Sequence, residues 1–474
     1  MGLRTADEYR DSLRDGRTLW YRGKRVDDIV TEHDLRVAID NACIDFDMTH
    51  DAEHRELAVV RDEITGEEHH ALYKIPRSPD DLLRRSRLIE MGSLLSGTIL
   101  SVKDIGADAL LGLLTALEGV GLERAQAFHR RCAAEDLVVS VAQTDVKGDR
   151  SKLPHQQPDP DHYLHVVKQN ADGIVVRGAK AHTTFGPNCD EFIVLPTRAM
   201  KEEDADWAVS FAVPAHTKGL SLYISSYSAG EHHPWDQPIS ARHKMLETLT
   251  VFDNVFVPWD RVFLCREHEL AGPLALSFVD FHRFTAVSYK LPLLDALVGA
   301  AAEIARMNGV LDAGHIREKL TQLVIYAETV RSLTESAARR GTVDERGICR
   351  PHAMTTNLAK YTFAIGYHNA IRIVQECAGG LLVTGPGGDD WDAPEVRPVL
   401  EKYLSAAAPA SERLAMMKMI ADLTVGDFGG YQSVLAVHAE GSIEAEKMQI
   451  LREYDSARAI IRARWLARLE EHAL

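Results

Sequence analysis

Hydrophobic and polar positions change pattern twice along the chain, which divides it into helical, β-rich and again helical parts. Up to about residue 136 helix formers dominate, and Ser78 is followed by a proline and two aspartates, as in the first turn of a helix. Short β-rich runs separated by Gly, Pro, Asn and Asp come next, at a spacing typical of an antiparallel barrel or sandwich. These runs are residues 174–177, 192–195, 208–213 and 249–257.

The helical pattern returns after about residue 270. Leu320, Leu323, Val324 and Ala327 are spaced i, i+3, i+4 and i+7, which predicts one buried stripe on a helix. Several long helices of this kind in succession indicate a bundle. Since 474 residues are too many for one compact core, we predict three domains. They are a helical domain over residues 1–136, a β domain over 137–268 and a helical bundle over 269–474.

Charge and cysteine content narrow the possible partners. Fifty-four basic and seventy acidic residues give a net charge of −16, which would repel the phosphates of a nucleic acid. The six cysteines lie far apart without a Cys-x-x-Cys pair, and the chain starts without an apolar signal segment. No run of about eighteen apolar residues occurs. We therefore expect a cytoplasmic protein that binds neither nucleic acid nor membrane.

Two segments carry the strongest functional signal. Residues 145–151 read DVKGDRS, a charged loop in which Gly148 would let the backbone approach a ligand. Arg150 in this loop could pair with a pyrophosphate through two parallel hydrogen bonds. Residues 173–184 read GIVVRGAKAHTT, a β-rich segment that ends in Thr183 and Thr184. On charge alone, the loop could equally be a solvated turn.

Further segments appear in register with these two. They are residues 157–161 (QPDPD), 252–259 (FDNVFVPW), 427–430 (DFGG) and 441–442 (GS). Together the segments resemble the family that contains 4-hydroxyphenylacetate 3-monooxygenase and 4-hydroxybutyryl-CoA dehydratase, over nearly the whole chain. The resemblance implies an acyl-CoA-dehydrogenase-like α+β fold with an N-terminal helical domain, a middle antiparallel β-barrel and a C-terminal four-helix bundle. It also implies FAD between barrel and bundle, and a homotetramer or homodimer.

By the same resemblance, a set of residues would surround the flavin and its phosphates. One of the two threonines would offer a hydroxyl near the redox-active edge of the ring, and the 441–442 pair would close over it. The full set is Val141, Ala142, Gln143, Asp149, Arg150, Ser151, Thr183, Thr184, Gly441 and Ser442.

The substrate machinery departs from both branches of the family. The dehydratase branch holds an iron-sulfur cluster on three cysteines and one histidine, and the chain offers Leu100, Asp104, His282 and Tyr289 at these positions. Because thiolates hold such clusters, we expect no iron-sulfur cluster and no metal site. The monooxygenase branch steers a phenol with an arginine, a tyrosine and a histidine. Here these positions hold Leu100, Asp104 and Val141.

Four residues remain as candidate catalytic groups: His282, Lys290, Tyr289 and Asp104. His282 and Lys290 are about two helical turns apart and would project from one face of a helix. A single histidine on a bundle helix is more often a core residue than a catalyst. Tyr289 could equally be a plug that fills the volume of the missing cluster, since a cavity there would be destabilising.

The residues and the resemblance together favour a two-component, FADH2-dependent monooxygenase. A separate flavin reductase would supply reduced flavin, and the enzyme would oxidise a small organic substrate other than a simple 4-hydroxyphenyl acid. One alternative is a cluster-free relative of the dehydratase that isomerises or oxidises an acyl-CoA. A second alternative is a flavin-binding protein without catalysis, because the catalytic residues of both branches are replaced.

Overall fold

The computed structural model describes residues 2–62 and 66–469. Its helices are α1 (Ala6–Ser12), α2 (His33–Ala42), α3 (Ile44–His50), α4 (Arg55–Ala58), α5 (Pro79–Leu95), α6 (Asp104–Ala116), α7 (Gly119–Ala134), α8 (His268–Tyr289), α9 (Leu291–Met307), α10 (Gly314–Arg339), α11 (Ala353–Ala378), α12 (Leu381–Thr384), α13 (Gly388–Asp392), α14 (Arg397–Leu404), α15 (Ala410–Thr424), α16 (Asp427–His438), α17 (Ile443–Glu453) and α18 (Ser456–Leu466). Within the described residues, none of these helices has the length and apolar character needed to cross a membrane.

The strands form two larger sheets and two short ladders. Their bounds are β1 (Leu19–Tyr21), β2 (Lys24–Val26), β3 (Val59–Arg61), β4 (Glu68–His70), β5 (Val139–Ala142), β6 (His165–Gln169), β7 (Gly173–Thr184), β8 (Glu191–Val194), β9 (Val209–Pro214), β10 (Leu220–Ile224), β11 (Glu247–Pro258), β12 (Val262–Cys265), β13 (Thr342–Val343) and β14 (Cys349–Arg350). One sheet has the order β2-β1-β10-β11-β7-β6, and the other has the order β12-β9-β8-β5.

A closed antiparallel barrel, as the resemblance implied, is not formed by the described strands. The two sheets remain separate, and the pairs β1–β10 and β5–β8 are parallel. Strands β1 and β2 come from the segment predicted to be helical and extend the six-stranded sheet. Lys24 and Arg25 lie on the outermost strand β2, where charged side chains discourage further pairing. The β-rich runs in the sequence predict which residues form strands, but they do not predict which strands stay unpaired at the edges of the sheets.

Helix α5 begins where the sequence predicts. The Ser78 hydroxyl accepts a hydrogen bond from the Asp81 backbone N–H at 3.2 Å, and Pro79 occupies the first turn. On α10, Leu323 and Ala327 are buried as predicted, whereas Leu320 is half-buried and the side of the helix that bears Val324 is exposed. The buried stripe of α10 is therefore narrower than the sequence suggests.

Helix α6 carries the candidate residue Asp104 and is deeply buried. Every residue from Asp104 to Leu114 is buried, and the helix packs most extensively against α8. Helix α5 packs against α8 as well, where Ser93 donates a hydrogen bond to the Tyr289 carbonyl at 2.6 Å. The end of α8 is thereby fixed beside the two acidic residues of α6, Asp104 and Asp108.

Candidate active site

His282 on α8 is held by a carboxylate on α6. Its Nδ1 lies 3.2 Å from Asp108 Oδ2. The other oxygen of Asp108 accepts hydrogen bonds from Arg85 Nη2 at 2.7 Å and from the Thr285 hydroxyl at 2.8 Å. The ring of His282 also stacks on Phe278, with the centroids 4.9 Å apart. The histidine is thus oriented on both its edge and its face.

Tyr289 and Lys290, at the end of α8, share one carboxylate. The Tyr289 hydroxyl donates to Glu440 Oε1 at 2.9 Å, and Lys290 Nζ donates to Glu440 Oε2 at 2.8 Å. Lys360 Nζ lies 3.6 Å from the same oxygen. These four residues, Tyr289, Lys290, Lys360 and Glu440, form what we call the Glu440 cluster. Glu440 sits between α16 and α17 with a positive φ of 56°.

The charges in the Glu440 cluster stabilise each other. Burial lowers the pKa of Lys290 to about 8, so the ammonium is still charged at neutral pH. Burial alone would raise the pKa of Glu440, but the charges of Lys290 and Lys360 lower it to about 2. The pair is therefore ionised at pH 7. His282 also acts on the pKa of Glu440, which places it beside this cluster.

Asp104 is a fully buried acid that faces other acids. Its Oδ2 accepts a hydrogen bond from the Ser101 backbone N–H at 3.0 Å, and its Oδ1 has no partner among the residues described. Burial, together with the nearby carboxylates of Asp45 and Asp108, raises the pKa of Asp104 well above its usual range. The raised pKa favours the protonated form of Asp104, which can donate a proton or a hydrogen bond.

A second carboxylic acid lies at the end of strand β11. Glu247 accepts hydrogen bonds from the Thr184 hydroxyl at 2.9 Å and from the Tyr431 hydroxyl at 2.7 Å. Tyr431 stacks on Tyr227, with the ring centroids 4.6 Å apart. Burial raises the pKa of Glu247 to about 7. It is therefore suited to exchange protons near neutral pH.

Thr183 and Thr184 point to opposite sides of β7, as neighbouring residues of a strand do, and an irregularity at His182 sets which side each one faces. His182 has a positive φ of 56°, and the pairing between β7 and β11 shifts register at this position. Thr184 donates to Glu247, while Thr183 is fully buried and its Oγ1 has no hydrogen-bond partner in the described part of the chain. A buried hydroxyl without a partner is costly, and a bound ligand would relieve that cost.

The residues before and within the charged loop divide into a buried and an exposed group. Val141 and Ala142 are buried on β5, and the carbonyl of Gln143 accepts a hydrogen bond from Lys180 Nζ at 2.9 Å. The loop residues Asp149 to Ser151 are exposed. Asp149 Oδ1 accepts hydrogen bonds from both the backbone N–H and the hydroxyl of Ser151, at 3.0 and 2.7 Å. The side chains of Asp149 and Ser151 therefore bind each other.

Three cations in this region have no carboxylate partner within the described residues: Lys147, Arg150 and Arg198. Burial and then the charge of Arg150 lower the pKa of Lys147, Asp145, which is paired with Lys180, raises it, and Arg198 lowers it as well, so the three cations lie close together. Such a cluster in a chain of net charge −16 is a candidate site for a pyrophosphate. A Cβ at Gly148 would collide with His162 and Gln157, so their close approach requires a glycine there.

Gly441 and Ser442 follow the Glu440 cluster directly. Gly441 has a φ of +109°, and a Cβ at this position would collide with the guanidinium of Arg283. Ser442 caps α17, where its hydroxyl accepts a hydrogen bond from the Ala445 backbone N–H at 3.3 Å. The Ser442 side chain serves helix α17, while Gly441 lets the chain pass close to α8.

The structure brings the four candidate catalytic residues into one region. His282 and Lys290 both act on Glu440, and the pKa of Tyr289, raised mainly by burial, also responds to Glu440, Glu247 and Asp104. Sequence reasoning missed Glu440, although it directly precedes the quoted Gly-Ser pair. It also missed Asp108, which lies four residues after Asp104, and Glu247, which no motif marks.

The architecture is that of the acyl-CoA-dehydrogenase-like proteins. The chain superposes on butyryl-CoA dehydrogenase of Megasphaera elsdenii with a TM-score of 0.52, covering 94% of this chain and 95% of that chain at 14% sequence identity. This likeness concerns the fold alone. Within that class, the chain belongs to the 4-hydroxyphenylacetate 3-hydroxylase family, whose N-terminal part matches residues 5–264 and whose C-terminal part matches residues 271–468.

Relatives from both branches are similar to the chain. It is 30% identical to the 4-hydroxybutyryl-CoA dehydratase/vinylacetyl-CoA-Δ-isomerase of Clostridium aminobutyricum, over 95% of this chain and 96% of the relative. It is also 30% identical to the oxygenase component of 4-hydroxyphenylacetate 3-monooxygenase of Thermus thermophilus, over 91% of this chain and 90% of the relative. The resemblance drawn from the sequence motifs is confirmed.

Solved structures give the same picture. An archaeal 4-hydroxybutyryl-CoA dehydratase from N. maritimus superposes with a TM-score of 0.92 at 29% identity, covering 100% of this chain and 96% of that chain. The oxygenase component of 4-hydroxyphenylacetate 3-monooxygenase complexed with FAD superposes with a TM-score of 0.91 at 27% identity, covering 98% of each chain.

Proposed function

We propose that the protein is the oxygenase component of a two-component, FADH2-dependent monooxygenase that acts on a small organic substrate. The choice between the branches depends on Tyr289. At the position where the dehydratase branch has a cysteine ligand, this chain has a phenol whose hydroxyl donates to Glu440. A tyrosine engaged in this way supplies no thiolate, which supports a protein without an iron-sulfur cluster.

The residues fit FAD in two places. Lys147, Arg150 and Arg198 would hold the phosphates, and the unpartnered hydroxyl of Thr183 would face the ring. FAD, when bound in its reduced form, supplies the electrons for the reaction of oxygen. The chain contributes proton handling: His282 accepts a proton from the substrate, Asp104 presents a buried acid with a raised pKa, and Glu247 exchanges protons near pH 7.

A second candidate function is a cluster-free isomerase of acyl-CoA compounds. This isomerase is favoured by His282, which stands at the position of the dehydratase's histidine ligand, and by the similarity to the dehydratase over 95% of this chain. The third possibility, a flavin-binding protein without catalysis, is disfavoured by Asp104 and Glu247, because buried acids with raised pKa values cluster at functional sites.

The decisive experiment supplies the protein with FADH2 from a flavin reductase, under ¹⁸O₂, with a panel of phenols and related aromatics. Incorporation of ¹⁸O into product supports the monooxygenase. Oxygen-independent migration of the double bond in vinylacetyl-CoA would instead support the isomerase. Flavin binding with neither oxygenation nor double-bond migration would support a flavin-binding protein without catalysis. Iron analysis of the purified protein belongs to the same experiment, since stoichiometric iron would contradict the role given to Tyr289.

Arg150→Ala should weaken the binding of FAD about 10- to 100-fold, because a charge-assisted phosphate contact contributes about 1.5 to 3 kcal/mol. Isothermal titration with oxidised and reduced FAD measures this. Lys152→Ala is the matched control, since Lys152 lies in the same loop but already pairs with Asp149 at 3.4 Å. Equal affinities for wild type and Arg150→Ala would remove Arg150 from the site.

Turnover should rise with pH through a limb near 7 that belongs to Glu247, whose pKa is about 7 in the folded protein. Below that pH the carboxyl is protonated and cannot accept a proton. Glu247→Gln should abolish the limb. Steady-state rates between about pH 5 and 9 with saturating FADH2 check this. A limb that persists in the variant would assign it to another group.

We further propose a separate reductase, self-association and a cytoplasmic location. The name of the Thermus relative as an oxygenase component supports a reductase.

Helix α18 has no buried residue and exposes Ile460, Trp465 and Leu466, which supports packing against a second copy in a homodimer or homotetramer. Sedimentation velocity would give the number of subunits. Free cysteines support a reducing compartment.

A further inference from the structure

The hydrogen bonds of Asp108 leave one of its two carboxylate oxygens for His282. Its Oδ1 accepts from Arg85 Nη2 and from the Thr285 hydroxyl, while its Oδ2 contacts, among the residues that the structure describes, His282 Nδ1 alone. The carboxylate is fully buried. Arg85 is fixed in turn, because its Nη1 donates to the Leu72 carbonyl at 2.7 Å.

This pattern determines where His282 carries its proton. A carboxylate paired with an arginine is ionised and has only acceptor sites. The hydrogen bond to His282 therefore requires a proton on Nδ1. In a neutral imidazole the other nitrogen, Nε2, is then a bare acceptor.

The other nitrogen is left for a ligand. No residue in the described ranges makes a hydrogen bond to His282 Nε2, and the side chain keeps 12% of its surface exposed. Phe278, His282 and Thr285 follow each other at i, i+4 and i+7 on α8, so they share one helix face. The ring is held by its face and by Nδ1 while Nε2 stays open.

We infer that Asp108 is a positioning residue that holds His282 with its proton on Nδ1 and thereby presents Nε2 as the acceptor of a substrate proton. This inference rests on the proposed function in one respect, namely that His282 acts on the substrate. Arg85 and Thr285 contribute to this positioning, because their hydrogen bonds fix the orientation of the Asp108 carboxylate.

Asp108→Asn tests the inference with little change of shape. Arg85 and Thr285 both donate, so they retain the amide oxygen at the position of Oδ1 and turn the amide NH₂ toward His282. The NH₂ must donate to Nδ1, which moves the ring proton to Nε2. NMR of ¹⁵N-histidine-labelled protein reports this tautomer directly, and a His282→Gln spectrum identifies the signal. Turnover should fall about 10- to 100-fold at an unchanged KM.

Asp136→Asn is the matched control. Asp136 is equally buried and pairs with Lys103 Nζ at 2.7 Å, but it does not contact His282. This variant should keep the wild-type tautomer and turnover. Thr285→Val is a second test variant, which keeps the carboxylate and removes one of its donors; it should lower turnover less than Asp108→Asn.

The outcomes separate the inference from the proposed function. The same tautomer in wild type and Asp108→Asn, or a wild-type ring already protonated on Nε2, would overturn the positioning role. A switched tautomer with unchanged turnover would overturn the use of Nε2 as acceptor. A switched tautomer in a protein that never oxygenates any substrate would support the positioning role and refute the monooxygenase.

Discussion

Replacing Glu440 by glutamine should lower the free energy of unfolding at pH 7 by about 3 to 5 kcal/mol. Glutamine keeps the shape, and its amide oxygen can still accept from Lys290 while its NH₂ donates to the Tyr289 hydroxyl. It removes the charge, however, and leaves the ammonium of Lys290, which is 1% exposed, without a counter-ion. Lys360 keeps its second partner, Glu446, at 2.8 Å. Urea unfolding followed by tryptophan fluorescence measures the loss.

The effect should also depend on pH in a defined direction. The pKa of Glu440 is lowered from 4.5 in the unfolded chain to about 2 in the folded protein. Its stabilisation is therefore complete above about pH 4.5 and is lost as the pH falls toward 2, which amounts to roughly 3 kcal/mol. The difference between wild type and Glu440→Gln should shrink over this range.

An exposed ion pair on the neighbouring helix provides the control for Glu440. Glu444→Gln removes the exposed pair with Lys447 on α17 and should change stability little. A difference between wild type and Glu440→Gln that is zero at pH 7, or constant down to pH 2, would contradict the ion-pair interpretation of the Glu440 cluster.

Replacing His282 by alanine should lower turnover about 10²- to 10⁴-fold while FAD still binds, because the variant loses a positioned proton acceptor. The cations that would hold the phosphates lie in another part of the chain, so flavin affinity should stay within a few-fold. Rates with saturating FADH2 and a parallel flavin titration measure both quantities.

A histidine at the start of the same helix is the control for His282. His268 lies on α8 beside Glu269 and far from Asp108, so His268→Ala should leave turnover unchanged. Full activity of His282→Ala would make His282 a structural residue of the α6–α8 interface, the alternative that the sequence left open.

Much of the fold could be predicted from the sequence, because helical spacing and β-rich runs depend on residues close together in the chain. The start of α5 at Ser78 and the buried Leu323 of α10 are of this kind. The arrangement of the strands could not be predicted, since β1 and β10 pair across about two hundred residues. Such pairing depends on the packing of whole layers.

For the site, the resemblance supplied His282, Tyr289 and Lys290, but not the residue that joins the last two. Glu440 reaches them across about 150 positions of sequence, with its backbone in a left-handed conformation. No spacing rule links residues so far apart. The sequence likewise gave no indication that Thr184 would bind Glu247, because the irregularity at His182 decides which threonine faces which way.

The burial of α6 from Asp104 to Leu114 has a consequence for repeated catalytic cycles. Asp104, and the Asp108 that contacts His282, lie on this buried helix, whereas residues Asp149 to Ser151 lie in an exposed loop. On the proposed function, FAD would bind and leave at that loop without repacking of the interior. The positions of the acid and base side chains would then stay the same from one binding of reduced FAD to the next.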